Sequence, residues 1–169
     1  MNIFAESCPG CRAALTPVNG PTHRYIGTSP SCWDVYTRVL AGDPPIGGGR
    51  GAALLVDAYA AQHPGESSPQ ATQSVAVHLV VLHGVTHHSV SPADLVALRT
   101  DAVAVGRRKG GYPRLLPAPS EWELTIHDVV AASAPARPGK AGDYVDSVLA
   151  AWSIHHAERI SEWYQAARG

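Results

Sequence analysis

Apolar residues along this chain fall into blocks with helical spacing, separated by stretches dense in glycine and proline. The first block opens at Ser29-Pro30. A serine there caps free N–H groups, and a proline suits the first helical position because its missing N–H would be unpaired anyway. Trp33, Tyr36, Val39 and Leu40 keep one face apolar until Gly42 and Pro44 end the helix. A second helix is predicted over AALLVDAYAAQH, stopped by Pro64-Gly65. A third covers QATQSVAVHLVVLHGVTHH, apolar nearly all round from Val75 to Leu82, which predicts a central position. Ser91-Pro92 starts a fourth, which runs through Leu95, Leu98, Ala102 and Val105. TIHDVVAASA predicts a short helix and PARPGKAGD a linker, before a last helix from about Asp143 to Ala167.

No stretch alternates with period two over a convincing length, and no internal repeat is evident. The pattern predicts an all-α fold, a helical bundle of four long helices plus one or two short ones. Residues 1–29 carry Pro9, Gly10, Pro17, Gly20, Pro21 and Gly27, too dense a punctuation for regular structure. They predict an irregular strap, with 30–169 as the bundle and the whole chain as one domain.

Composition narrows the function classes. With 169 residues, 45% of them hydrophobic and 16% charged, the chain can build a real core. A protein this size buries roughly 70% of its unfolded surface and needs no disulfides. A net charge of −1 gives no electrostatic case for a nucleic-acid or acidic-membrane partner. No apolar run reaches the ~18 residues of a membrane span, and MNIFAESC lacks the pattern of a signal peptide. The expectation is a cytoplasmic protein with reduced thiols. In that compartment a C-x-x-C pair reads as a metal clip or a redox pair rather than a structural disulfide. GDPPIGGGRG is glycine-rich but lacks the following Lys-Ser/Thr of a phosphate-binding loop, so it reads as a flexible connection.

Cys8-Pro9-Gly10-Cys11 matches one half of a zinc knuckle, whose spacing lets two thiolates reach one ion while the glycine permits the tight turn. Four-coordinate zinc needs two further ligands. Only one cysteine remains, Cys32, so at least one histidine must serve. A redox pair would sit at the start of a helix after a strand, whereas this pair precedes loop residues. Plain buried thiols are the third reading.

The segments CPGC, YIGTSPSCW, VDAYAAQHPG, QSVAVHL and the late AWSIHH…WY resemble an uncharacterised family of small bacterial proteins, a domain of unknown function. The resemblance implies a metal-like constellation and a helical fold, but no established activity. Relatives carry a histidine a few residues before the VDAYA-like segment, where this chain has Arg50, Gly51, Ala52 and Ala53. Resemblance and spacing together favour Cys8, Cys11, Cys32 and His63 as one zinc site. A closed set of four ligands would be structural, tying the strap to the bundle.

A second candidate lies in the hairpin between helices two and three. Antiparallel pairing puts His78 about level with Asp57, both in apolar surroundings, where ionisable groups are costly unless paired. The pair can orient a general base or supply metal ligands; the plainer reading is a structural hydrogen bond. In the last helix Val145, Leu149, Trp152, His156, Ile160 and Trp163 form a stripe that puts His156 on the buried face, a third candidate beside Asp57 and His78. His83 and His87, at i, i+4, read as a solvated helix end. Arg107, Arg108, Lys109 and Arg114 can hold an anion, but read first as a solvated charge run.

Two functions compete. One is an enzyme acting on a small molecule in a cavity between helices, with Asp57, His78 and His156 in acid–base or ligand roles. The other is a zinc-stabilised binding module without chemistry. Thiol redox chemistry at Cys8 and Cys11 is a weaker third.

Overall fold

The computed structural model describes residues 5–169; residues 1–4, the beginning of the strap, lie outside the described residues. The described residues are mostly helical, with a small two-stranded sheet near the amino end. Seven helices follow in order among them: α1 Pro30–Leu40, α2 Arg50–Ala53, α3 Leu55–Gln62, α4 Pro69–His88, α5 Leu95–Arg108, α6 Ile126–Ala131 and α7 Arg137–Arg168.

Helix α4 is the axis of the bundle and packs against α3, α5 and α7. Its start follows the cap-plus-proline logic: the Ser68 side chain accepts from the Ala71 N–H at 3.1 Å and Pro69 occupies the first turn. Val75, Ala76, Val77, Leu79, Val80, Val81 and Leu82 are all buried, because neighbouring helices cover α4 on several faces. Helix α1 begins the same way, with the Ser29 hydroxyl accepting from the Cys32 N–H at 3.3 Å. Thr125 and Asp128 form a capping box at the start of α6.

Three features depart from the sequence-based expectation. The second helix is broken at Leu54 into α2 and α3. The stretch read as a linker, PARPGKAGD, is largely the first turns of α7, with Pro138 tolerated near the helix start. Packing overrides the poor helix propensity of its glycines: Gly51 of α2 lies so close to α7 that a Cβ there would meet Ala141 and Gly142 backbone atoms at 2.5 Å. The strap is also less irregular than predicted. Strands β1 (Glu6–Ser7) and β2 (Ala14–Leu15) pair antiparallel, and the CPGC turn is their connection.

The strap is fastened to the bundle at several points. Gly27 N donates to His63 O at 2.9 Å, and Val18 N donates to the Ser31 hydroxyl at 3.0 Å. The Trp122 indole N–H donates to Gly10 O at 2.9 Å. Among the described residues no helix is long and apolar enough to cross a membrane.

Candidate functional site

The β1–β2 connection shapes the first half of the site. Cys8 N donates to Ala13 O at 2.9 Å and Arg12 N to Cys8 O at 3.0 Å, with Arg12 in the left-handed region. This small loop turns both thiols inward. Gly10 is needed for closeness: a Cβ on it would lie 2.5 Å from the His63 ring and 2.5 Å from Gly27 O. The second half comes from helix ends. Cys32 sits in the first turn of α1, and His63 is the residue that ends α3.

The ligand atoms of Cys8, Cys11, Cys32 and His63 all lie within 4.8 Å of one another, a group that can hold a metal ion. Cys11 Sγ is 3.8 Å from Cys32 Sγ, and His63 Nε2 is 3.4 Å from Cys32 Sγ. All four residues are buried, none more than 3% exposed. The His63 Nδ1–H donates to Tyr59 O at 2.7 Å, which fixes the tautomer and leaves the Nε2 lone pair facing the sulfurs.

A ring of donors backs the sulfurs. The Tyr59 hydroxyl reaches Cys32 Sγ at 3.5 Å and exchanges a 2.7 Å hydrogen bond with Thr28, whose hydroxyl lies 3.9 Å from Cys8 Sγ. Tyr59 is itself stacked between Tyr36 and His63, with ring centroids at 3.7 and 4.0 Å. The 122–127 segment closes the outside. Besides Trp122 on Gly10, Leu124 O accepts from Gln62 Nε2 at 2.8 Å, and Gln62 in turn accepts from Tyr144 at 3.1 Å. His127 approaches Cys32, and its Nε2 is buried without a hydrogen-bond partner.

Crowding separates the protonation states of these groups. Hydrogen bonds from Cys11 and then Cys8 hold the Cys32 thiol far below its usual range, with smaller help from His127 and His63. Cys11 is pushed up, mainly by its hydrogen bonds to Cys32 and Cys8. Cys8 falls to about 7, chiefly through its hydrogen bond to Cys11. Burial opposes charge on His63, yet hydrogen bonds to Cys32 and Cys8 raise it to about 9. Without a metal, the cluster is a set of soft donors competing for too few protons.

The second cluster contains a residue that the sequence reading missed. Asp57 is fully buried and accepts from His78 Nδ1 at 2.8 Å. Arg99 of α5 completes it with a two-pronged pairing, Nε to Oδ1 at 3.1 Å and Nη2 to Oδ2. The hydrogen bond to Asp57 raises Arg99 further. A signal for Arg99 exists in the sequence: it adjoins Leu98 on the α5 stripe that faces the core, and a buried carboxylate needs a cation. His78 is partly exposed and lines an open groove between α4 and α5 of ≈ 470 Å³.

The structure does not bring His156 to this pair. Its Nε2 meets Pro117 O at 2.8 Å on a different face of the protein, near Trp152. The stripe was read correctly for Trp152 and Ile160, which are buried, but His156 sits at its margin under the 110–118 loop. His83 is buried and its Nε2 has no partner, while His87 and His88 are exposed. Among the described residues the nitrogens of these three do not converge on one point as the sulfur cluster does. Arg50 of α2 pairs with Asp146 of α7.

The family model described as "Family of unknown function (DUF5946)" matches residues 6–153, and the chain belongs to that family. Neither the curated proteins nor the solved structures contain a match to the chain.

Proposed function

For a member of a family whose function is unknown, we propose that the cysteine–histidine cluster holds one zinc ion as a structural centre, and that the protein acts on a small molecule at His78. The supporting observation is the closure of the cluster. Three thiols and one imidazole within 4.8 Å supply a complete tetrahedral donor set, and their burial leaves no open position for a substrate. Mixed sulfur and imidazole donors favour zinc over the hard cations. Chemistry, if centred anywhere in this fold, then falls to a titratable group that solvent can reach.

His78 meets that description. Asp57 holds its Nδ1, so Nε2 is the nitrogen left for a ligand, and Arg99 keeps Asp57 compensated. This is the geometry of an oriented acid–base imidazole, with Asp57 and Arg99 as positioning residues. His156 carries no part of the proposal. The test is metal analysis of protein purified without added metal, followed by a small-molecule activity screen run beside His78→Ala. One zinc per chain, and turnover lost in a folded, zinc-loaded His78→Ala protein, support the reading. An empty site or turnover unchanged by the substitution overturns it.

One observation favours the second reading, a zinc-stabilised binding module without catalysis. A crevice between the helices, lined by Val75, Leu115 and Trp152 among others, holds only ≈ 20 Å³. That is room for about one water molecule. That crevice admits no substrate, and the roomier recess at His78 is an open groove. Thiol redox chemistry fits least well, because a partner disulfide cannot reach sulfurs that are at most 3% exposed.

A further inference from the structure

The groove at His78 has a polarity that points to the chemistry of its ligand. From α4, Gln70, Gln73, Ser74 and His78 line it at helical spacing; from α5, Val103 and Arg107 form the facing wall. The lining contains amides, the hydroxyls of Ser74 and Tyr25, an imidazole and a guanidinium, and no carboxylate. Asp57 lies behind His78, where its charge is matched by Arg99. Arg107 has no ion-pair partner among the described residues, so its charge faces the groove uncancelled.

The helices also set where these groups stand. Helices α4 and α5 are joined by a short turn and run antiparallel, which brings the end of α5 to the start of α4. The level is fixed by Gly106, where a Cβ would come within 3.3 Å of Gln73 Oε1. Arg107 is therefore beside Gln73, and Arg99 is beside Asp57 and His78. His78 stands five positions beyond Gln73 in α4, about 8 Å along the axis. The amino end of α4 adds the positive end of its dipole on the Arg107 side.

We infer that this groove binds a small oxyanion-bearing molecule, its carboxylate or phosphate held by Arg107 and Gln73, with a polar group about 8 Å further along at His78 Nε2. A guanidinium recognises either oxyanion through paired N–H donors, and the uncharged amides and hydroxyl of α4 can follow the body of such a molecule. This inference rests on the reading of His78 as the working group and names the substrate class for it.

The test is titration of the zinc-loaded full chain with inorganic phosphate and, separately, with succinate, followed by NMR at the Arg107 side-chain N–H and the His78 ring. The expected result is a saturable shift at both groups with at least one of the two probes, and none with glycerol. Arg107→Gln should weaken that binding about tenfold or more, and Arg107→Lys should restore part of it. Absence of saturable shifts with either anion, or equal affinity in Arg107→Gln, overturns the inference. Failure here is distinguishable from failure of the acid–base reading of His78. Turnover lost in His78→Ala without any anion binding sinks only the ligand class. Anion binding that depends on Arg107, with turnover indifferent to His78, sinks only the acid–base role.

Discussion

Two clusters of polar groups lie buried among the described residues, and they are balanced in opposite ways. Around Asp57 the balance is internal: a carboxylate meets a guanidinium and an imidazole, and its acceptor capacity is met by three hydrogen bonds. Around Cys32 the described residues set only the His63 imidazole, raised to about 9, against three sulfurs. Three sulfurs and an imidazole lone pair face one another, with Cys32 driven down and Cys11 driven up by the same hydrogen bonds. The first cluster can fold alone. The second is a set of soft donors that can hold an ion, so the same degree of burial points to a ligand in one place and to a charge pair in the other.

The largest expected effect breaks the sulfur side of this comparison. Chelation, or Cys32→Ser, should release the strap and the 122–127 segment and lower stability by several kcal/mol, within the range of structural zinc sites. Much of the far-UV helical signal should survive, because the contact between α4 and α7 does not involve the strap; Trp122 fluorescence and thermal melting would report the change. Loss of all helical signal on chelation would show that the bundle itself depends on the ion.

Next comes the charge side. Arg99→Met leaves Asp57 buried opposite His78 alone and should cost about 2–4 kcal/mol, somewhat under the full penalty because Arg99 is partly exposed. Adding Asp57→Leu to Arg99→Met should recover most of that loss in denaturant unfolding, since an apolar pair needs no compensation. No apolar replacement of Cys8 or Cys11 should recover metal binding, and that asymmetry is the sharpest form of the comparison.

A smaller effect is expected at Tyr59, which donates toward Cys32 and stacks on His63. Tyr59→Phe keeps the stack and removes the hydroxyl, so the metal affinity should drop about tenfold in a competition assay, with a stability loss near 1 kcal/mol. His127→Ala tests the same ring of donors from the other side. If its unpartnered Nε2 serves the Cys32 sulfur when metal is bound, the sulfur-to-metal absorption of the cobalt-substituted protein should shift, and His127→Gln should move it back part of the way.

An effect absent at neutral pH lies outside both clusters. Burial, then the neighbouring His87 and His88, lowers His83 to about 4. The unfolded chain takes up this proton near pH 6.5 while the folded one does not, so the contribution is present above about 6.5 and lost as pH falls toward 4. His83→Phe should flatten that part of the pH–stability curve.

Much of this was legible along the chain, for identifiable reasons. Ser29-Pro30 and Ser91-Pro92 are local signals that act within one helical turn: α1 begins at the first, and the second opens a short turn that leads into α5. The three cysteines and His63 stood out because few side chains have soft donor atoms and CPGC has a spacing that suits one ion. Asp57 and His78 stood out because each interrupts an apolar face. What escaped notice depended on distant neighbours. Gly51 against Ala141 turned a linker into helix, His156 slipped to the edge of its stripe beneath Pro117, and Arg99 became the partner of a carboxylate more than forty residues away.

The sequence by itself determined the helical periods, the caps and the inventory of metal-binding atoms, since these depend on residue identity and on spacing within a few turns. Only the tertiary structure decided which atoms share a pocket, which charge is already cancelled, and which nitrogen of His78 is left to face the groove. Those depend on distances between segments remote in the chain, and electrostatic balance in a buried site is set by such distances rather than by composition.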